Sequence, residues 1–132
     1  MADLQTALVR RLIATPAVAA LAGTKINWGK VPQGTAKPYV ELVVVSDPRP
    51  QHLKGYNGSR GTRVQADCYA ETYGAADKLA KAIIAALAEP ASTADGRFGR
   101  THAEGPRDLG EDTAAGFVHR ASVDLLVRHR ST

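Results

Sequence analysis

The sequence contains a single cysteine, Cys68, among 132 residues. One thiol cannot form an internal disulfide, and it excludes a zinc site built mainly from cysteines. Long apolar runs are also missing, because no stretch approaches the ~18 consecutive apolar residues of a membrane span. The first 14 residues are amphipathic and lack the layout of a signal peptide. We therefore expect a protein made and kept in the cytoplasm, or in a particle assembled there, without membrane association.

Acidic residues are missing from the segment between Pro48 and Arg63, which contains four basic residues. Subtracting these four from the 17 basic residues leaves 13, which equals the 13 acidic residues of the chain. The net charge of +4 is therefore a local feature of this segment. Such a segment contacts nucleic acid, an acidic partner or simply water.

The length suits one domain, 1–132, with its own core. Asp3 is a good N-cap for a helix whose leucines recur at positions 4, 8 and 12, and Thr15-Pro16 begins a short second helix that stops at Gly23. Thr72 is a good N-cap for a central helix that ends before Pro90. Its predicted apolar face consists of Tyr73, Ala76, Ala80, Ile83, Ile84 and Leu87.

Alternating apolar and polar residues predict the strands. A short strand is expected at Ile26–Trp28, confident strands at 39–45 and 61–70, and a long terminal strand through Phe117, His119, Ala121, Val123, Leu125 and Val127. In the 61–70 strand the inner face is Val64, Ala66, Cys68 and Ala70, and the other face is Arg63, Gln65, Asp67 and Tyr69. The predicted fold class is α+β: a mostly antiparallel sheet of three to five strands, packed by a central helix plus N-terminal helices.

A long projecting β-hairpin arm, about residues 47–62, is expected between two of these strands. Asn57-Gly58 is the commonest hairpin turn signal, and Pro48 and Pro50 suit only an edge or an irregular segment. With about eight residues a side, the arm would reach roughly 25 Å outward. An arm this poor in apolar residues is either mobile or ordered by a neighbour. Its candidate subunit or partner contacts are Arg49, His52, Leu53, Lys54, Tyr56, Arg60 and Arg63.

Each candidate catalytic group in the sequence also has a structural interpretation. The acidic and histidine residues between His102 and Asp112 match no metal-ligand spacing, and their glycines and proline favour a solvated loop. His119 is interpreted as a structural histidine and Cys68 as a core residue rather than a nucleophile. The glycines at every third position from 55 to 61 are not followed by a phosphate-binding lysine. We therefore predict no active site, no metal and no cofactor.

The order of these features resembles the tail-terminator and tail-completion, or head-tail joining, proteins of long-tailed bacteriophages. The resemblance is carried by Pro32-Gln33-Gly34 with Pro38-Tyr39, by Asp67 and Tyr69, and by Thr72-Tyr73 leading into the central helix. It covers the pattern from about residue 4 to about residue 127. Past Pro90 it rests on strand alternation alone.

The resemblance implies a non-enzymatic virion protein at the head-proximal end of the tail. Members of the family assemble as a ring, typically of six, that ends the tail tube and presents a surface to the head. The implied partners are further copies of the chain, the tail tube protein, head-tail connector proteins and double-stranded DNA passing through without sequence readout. A phage, a prophage or a gene transfer particle fits equally. The alternatives are a connector or adaptor ring protein and a basic nucleic-acid-binding module.

Overall fold

Residues 4–32, 34–46, 59–114 and 116–130 are described by the computed structural model. They form three helices and eight strands around one hydrophobic core. The helices are α1 (Leu4–Ala14), α2 (Pro16–Ala22) and α3 (Tyr73–Leu87). The strands are β1 (Ile26–Trp28), β2 (Tyr39–Ser46), β3 (Ser59–Ala70), β4 (Ala91–Thr93), β5 (Gly96–Phe98), β6 (His102–Asp108), β7 (Glu111–Thr113) and β8 (Gly116–Arg130).

Helices α2 and α3 begin and end where the sequence signals predict. Pro16 occupies the first turn of α2, and Gly23 ends that helix with a φ of 60°, a conformation that favours glycine. The Thr72 side chain caps α3 by accepting a hydrogen bond from the Ala75 backbone N at 3.1 Å. Asp3, the predicted cap of α1, lies outside the described residues.

The prediction of an α+β fold is confirmed, and all the described strand pairings except β1–β2 are antiparallel, but the predicted number of three to five strands is wrong. The described residues form one curled sheet of eight strands. The sheet is mixed, because β1 runs parallel to β2. The main path is β1-β2-β3-β8-β5-β4, and β6 and β7 also pair with β8. The strands β4, β5 and β7 have three residues each, too few to show an alternating pattern.

The prediction of a loop at 102–112 is also wrong, because this segment forms β6 and β7. Gly105 and Pro106 lie in an irregularity between Glu104 and Arg107, where the register with β8 shifts. A bulge is one of the few places where a sheet accepts proline, because the missing N–H is not needed there. The composition of a loop therefore coexists here with strand pairing.

Strand β8 is paired along both of its edges. One edge pairs with β3 over twelve positions, from Ala70↔His119 to Ser59↔Arg130. The other edge meets β7 at 116–118, β6 at 121–126 and β5 at 129–130. Because β3 reaches only as far as His119, the β7–β8 turn extends beyond the central sheet.

The core lies between the helices and one face of the sheet. The predicted inner face of β3 is confirmed, since all four of its residues are buried. The buried residues of α3 are Ala76, Leu79, Ala80, Ile83 and Leu87, which face β3 and β8. Two predicted core positions are wrong: Tyr73 is 52% exposed in the first turn of α3, and Phe117 is 51% exposed in the β7–β8 turn beyond the core.

Arg11 joins the first helix to the end of the third. Its Nη2 donates to the backbone oxygens of Ala86 at 3.0 Å and Glu89 at 2.8 Å, where α3 leaves its last carbonyls without helical partners. Its guanidinium also lies 4.7 Å from the centre of the Phe98 ring. One arginine thereby holds α1, the C-terminus of α3 and β5 together.

No single helix within the described ranges is long and apolar enough to cross a membrane. The pair formed by α1 and α2 reaches the required length and composition together, but its axes bend by 88° at the break.

His129 is a buried histidine near the end of β8, 4% exposed, with its ring 4.9 Å from that of Phe98. Gly96 lies so close that a Cβ there would be 2.8 Å from His129 Nε2. Burial lowers the pKa of His129 below its ordinary value of 6.5, opposed in part by a hydrogen bond to the Asp95 backbone. The fold therefore favours the neutral form of this ring over the charged form.

Replacing His129 with glutamine is expected to remove a pH dependence of stability. The unfolded chain binds the imidazole proton more tightly, so the wild-type free energy of unfolding falls as the pH drops from about 6.5 through the lowered pKa. His129→Gln loses roughly 1–2 kcal/mol of packing at pH 8 but should respond less to acid between pH 7 and 5. Urea unfolding across that range measures this, with the exposed His102→Gln as the control. An unchanged pH slope in His129→Gln would contradict the assignment.

Candidate assembly surface

Within the described residues, no helix covers the face of the sheet opposite α3, and we call it the open face. Side chains alternate across a strand, so this face is formed by the residues between the buried ones. On β3 they are the four residues predicted to face away from the core. The open face comprises Tyr39, Glu41 and Val43 of β2; Arg63, Gln65, Asp67 and Tyr69 of β3; Arg120, Ser122, Asp124, Leu126 and Arg128 of β8; and His102, Glu104 and Arg107 of β6.

An acidic pair lies at the centre of the open face. Glu41 and Asp67 are direct cross-strand partners, an arrangement in which like charges repel. Asp67 is 5% exposed, and Gln65 Nε2 donates to its two carboxylate oxygens at 3.2 and 3.1 Å. Burial, and then the charge of Asp67, raise the pKa of Glu41, while Arg120 opposes the shift.

Two tyrosines and an arginine border this pair. The rings of Tyr39 and Tyr69 stack with their centres 4.9 Å apart. Arg120 Nη1 donates to the Tyr69 hydroxyl at 3.5 Å, and its guanidinium lies 6.0 Å from the centre of that ring. Stacked rings beside a cation form a firm platform with little rotamer entropy left to lose on binding.

Ser122 connects this centre to the far side of the face. It stands between Asp67 on one neighbouring strand and Arg107 on the other. The residue is fully buried, and its hydroxyl has no hydrogen-bond partner in the described part of the chain. Arg107 instead turns to Asp124, with Nη2 to Oδ2 at 3.2 Å, beside a cavity of about 270 Å³ that Val45 and Arg63 also line.

Four arginines lie where the open face reaches the C-terminal end of β8. We call this group the arginine end and define it as Arg63, Arg97, Arg128 and Arg130. Arg97 and Arg130 are direct cross-strand partners, and Arg63 is diagonal to Arg128 across the β3–β8 ladder. All four residues are exposed, and none has an ion-pair partner within the described residues. Directly opposed like charges destabilise a sheet, so this end needs an anion or water to balance it.

An acidic hairpin surrounds β7 at the beginning of β8, and we define it as residues 108–114, 116 and 117. It carries three exposed carboxylates, those of Asp108, Glu111 and Asp112. Leu109 and Phe117 are 38% and 51% exposed beside them. The Phe117 ring packs on Gly110 and meets the His119 ring edge-on at 4.8 Å, so its position is fixed although half of its surface is open.

Most of the arm predicted from the sequence lies outside the described residues. That is the case for Arg49, His52, Leu53, Lys54 and Tyr56, and these remain predicted contacts. The predicted arm is too long at its second end, because residues 59–62, including the backbone of Arg60, belong to β3 and pair with β8. Arg63 lies exposed on the open face. The structure thus places Arg63 in one group with Arg97, Arg128 and Arg130. The sequence analysis does not predict these three arginines as contact residues.

The residues considered for chemistry are placed as follows. His102 Nε2 lies 4.0 Å from Glu104 Oε1 on β6, and the described residues contain no group of three potential metal ligands. Cys68 is fully buried, and burial, together with Asp67, raises its pKa to about 12. A thiol in that environment is a poor nucleophile. His119 pairs with Ala70 at the last position of β3 and packs against Phe117.

The described residues define an α+β domain with helices on one side of the sheet and a charged open face on the other. The chain belongs to the family of the tail completion protein gp17, whose family model matches residues 6–130. No curated protein matches the chain. The predicted family and the predicted location in the tail of a virion are thereby confirmed, and the chain is a structural protein of a phage-type tail.

A solved structure supports the same placement. A chain of the structure described as "Virion of native gene transfer agent (GTA) particle" is 26% identical to this chain and superposes with a TM-score of 0.58. The match covers 97% of this chain and 93% of the other. The likeness therefore extends over the whole domain, including the last third, where the sequence pattern was least distinctive.

Replacing Glu41 with glutamine is expected to stabilise the isolated domain at neutral pH. Its raised pKa means that the folded state holds this proton more tightly, so the ionised carboxylate opposes folding and the cost fades as the pH falls. Glu41→Gln should raise Tm by about 2 °C at pH 7, and the gain should vanish near pH 4. Calorimetry tests this, with the exposed Glu71→Gln as the control. A lower Tm at pH 7 would show instead that Glu41 makes a net favourable ion pair with Arg120.

Proposed function

We propose that the protein forms a closed ring of six copies that ends the tail tube and joins the tail to the head. The observation that carries this proposal is the family match over residues 6–130, which includes nearly every described element. The whole-domain likeness to a virion chain supports it. The proposed role is one of assembly, without catalysis.

A ring of identical subunits needs two different surfaces on each copy, since a head-to-tail contact closes only when the surfaces are complementary. The open face, the arginine end and the acidic hairpin supply charged surfaces of both signs. The predicted arm adds a further contact, through which Arg49, Lys54 and Tyr56 reach a neighbouring copy. In this arrangement the remaining surfaces of the ring face the tail tube protein on one side and the head-tail connector proteins on the other.

Double-stranded DNA is the other partner that the proposal implies. Four exposed arginines at one end of the open face would attract phosphates without reading bases. That observation favours a second candidate, a basic nucleic-acid-binding module. Tight phosphate contacts would slow DNA passing through a ring, so we place the arginines mainly in contacts with protein. A connector or adaptor ring protein would use the same surfaces.

The native mass of the purified protein tests the ring. We expect a closed oligomer, or a monomer that becomes a ring when purified tail tubes are added, with rings visible by negative stain at tube ends. The matched control is tubes incubated without the protein. A monomer at every concentration that ignores tubes but is retained on DNA would overturn the proposal in favour of the nucleic-acid module.

Removing most of the predicted arm tests its role separately. Deleting residues 49–56 leaves Asn57-Gly58 to close the connection between β2 and β3, both of which lie within the described residues. We expect a folded monomer with a Tm near the wild-type value and weakened assembly. Circular dichroism and native mass measure the two effects. Loss of the fold would show that the segment belongs to the core, and unchanged assembly would remove the arm from the interface.

A further inference from the structure

The two ends of β8 carry opposite charges. The acidic hairpin lies at its beginning and the arginine end at its finish, with Phe117 and Arg130 thirteen residues apart on one continuous strand. At about 3.3 Å per residue, an extended strand separates them by roughly 40 Å. These charges cannot neutralise each other within one copy.

Each end also contains an arrangement of side chains that is unfavourable in a single copy of the protein. At the arginine end, Arg97 stands directly opposite Arg130, with Arg128 two residues away on the same face. At the acidic hairpin, Phe117 keeps half of its residue surface in water although its ring packs on Gly110. Violations of local rules concentrate where a surface serves another purpose.

The chemistry of the two ends is complementary. Guanidinium groups bind carboxylates through paired hydrogen bonds and also stack on aromatic rings. Asp108, Glu111 and Asp112 supply the carboxylates, and Phe117 supplies an aromatic anchor of the kind that dominates interface energies. All four basic residues are arginine, the side chain that can use both kinds of contact.

We propose that the acidic hairpin of one copy docks on the arginine end of the next copy. This inference rests on the proposed ring and names the surfaces that build it. The contact uses different surfaces on the two copies, as a closed ring requires. The two halves of the contact adjoin opposite ends of β8, so this strand links the two contacts that each subunit makes.

Charge reversal tests the pairing. Glu111→Arg with Asp112→Arg makes the hairpin basic, and Arg128→Glu with Arg130→Glu makes the other end acidic. Each double variant should weaken assembly by roughly 30-fold or more, because it sets like charges against each other. Lys78→Glu, an exposed reversal on α3, is the control and should assemble as the wild type does.

Recombination of the reversals gives the decisive result. A chain with all four substitutions restores opposite charges between neighbours and should recover most of the lost assembly. Native mass is measured for every variant, with tail tubes added if the wild type requires them, and circular dichroism identifies any variant that fails to fold. If the chain with all four substitutions fails to fold, two other tests replace it: the Phe117→Ser variant and a salt titration of the wild-type assembly. Both the substitution and added salt should weaken assembly.

The outcomes separate this inference from the proposed function. A wild type that never assembles, alone or on tubes, overturns both. A wild-type ring that survives both double reversals, or that Phe117→Ser and salt leave intact, overturns only the docking of hairpin on arginine end. If Arg128→Glu with Arg130→Glu abolishes retention on duplex DNA but leaves the ring unchanged, the arginine end binds a polyanion and the inference fails.

Discussion

The pairing of β8 along both of its edges is the constraint on which the rest of the structure depends. Its β3 edge supplies the wall against which α3 packs, and its second edge holds β5, β6 and β7, segments too short or too irregular to form a sheet alone. Two alternating rows of side chains follow. One row enters the core through Ala121, Val123, Leu125 and Val127, and the other forms the middle of the open face.

The confinement of the helices to one side of this sheet has a chemical consequence. Residues on the covered side are apolar almost without exception, while the open face carries tyrosines, carboxylates and arginines in neighbouring rows. Some of those groups repel each other, as the carboxylates of Glu41 and Asp67 do across neighbouring strands. A protein whose work is to contact other proteins has a use for such a face, and membership of a tail completion family agrees with that interpretation.

Much of the fold could be predicted from the sequence where a periodic pattern met a clear start or stop signal. Thr72, Pro16 and Gly23 marked helix ends correctly, and the alternation from Val64 to Ala70 gave the correct inner face. Prediction failed where tertiary context decides. Gly105 and Pro106 have the composition of a loop, yet a bulge against β8 accommodates them. Phe117 keeps the alternation of its strand but lies beyond the last residue of β3, which no periodicity reveals.

The candidate surface could be predicted only in part for a similar reason. Arg63 was selected because it belongs to a basic stretch of sequence, but Arg97, Arg128 and Arg130 come from distant stretches and meet only through strand register. Four arginines scattered over 68 positions form no recognisable sequence pattern, because only the pairing of the strands makes them neighbours. The acidic hairpin was visible in composition, although its charges were interpreted as those of a solvated loop.

The uninterrupted backbone of β8 also has a mechanical consequence. A pull applied at its two ends runs through covalent bonds from one end of the strand to the other. The hydrogen bonds to β3 lie across that direction, so they carry little of this load and hold the strand in its extended form. A subunit built in this way stretches little, and a ring linked through such strands would keep its diameter when the particle is strained.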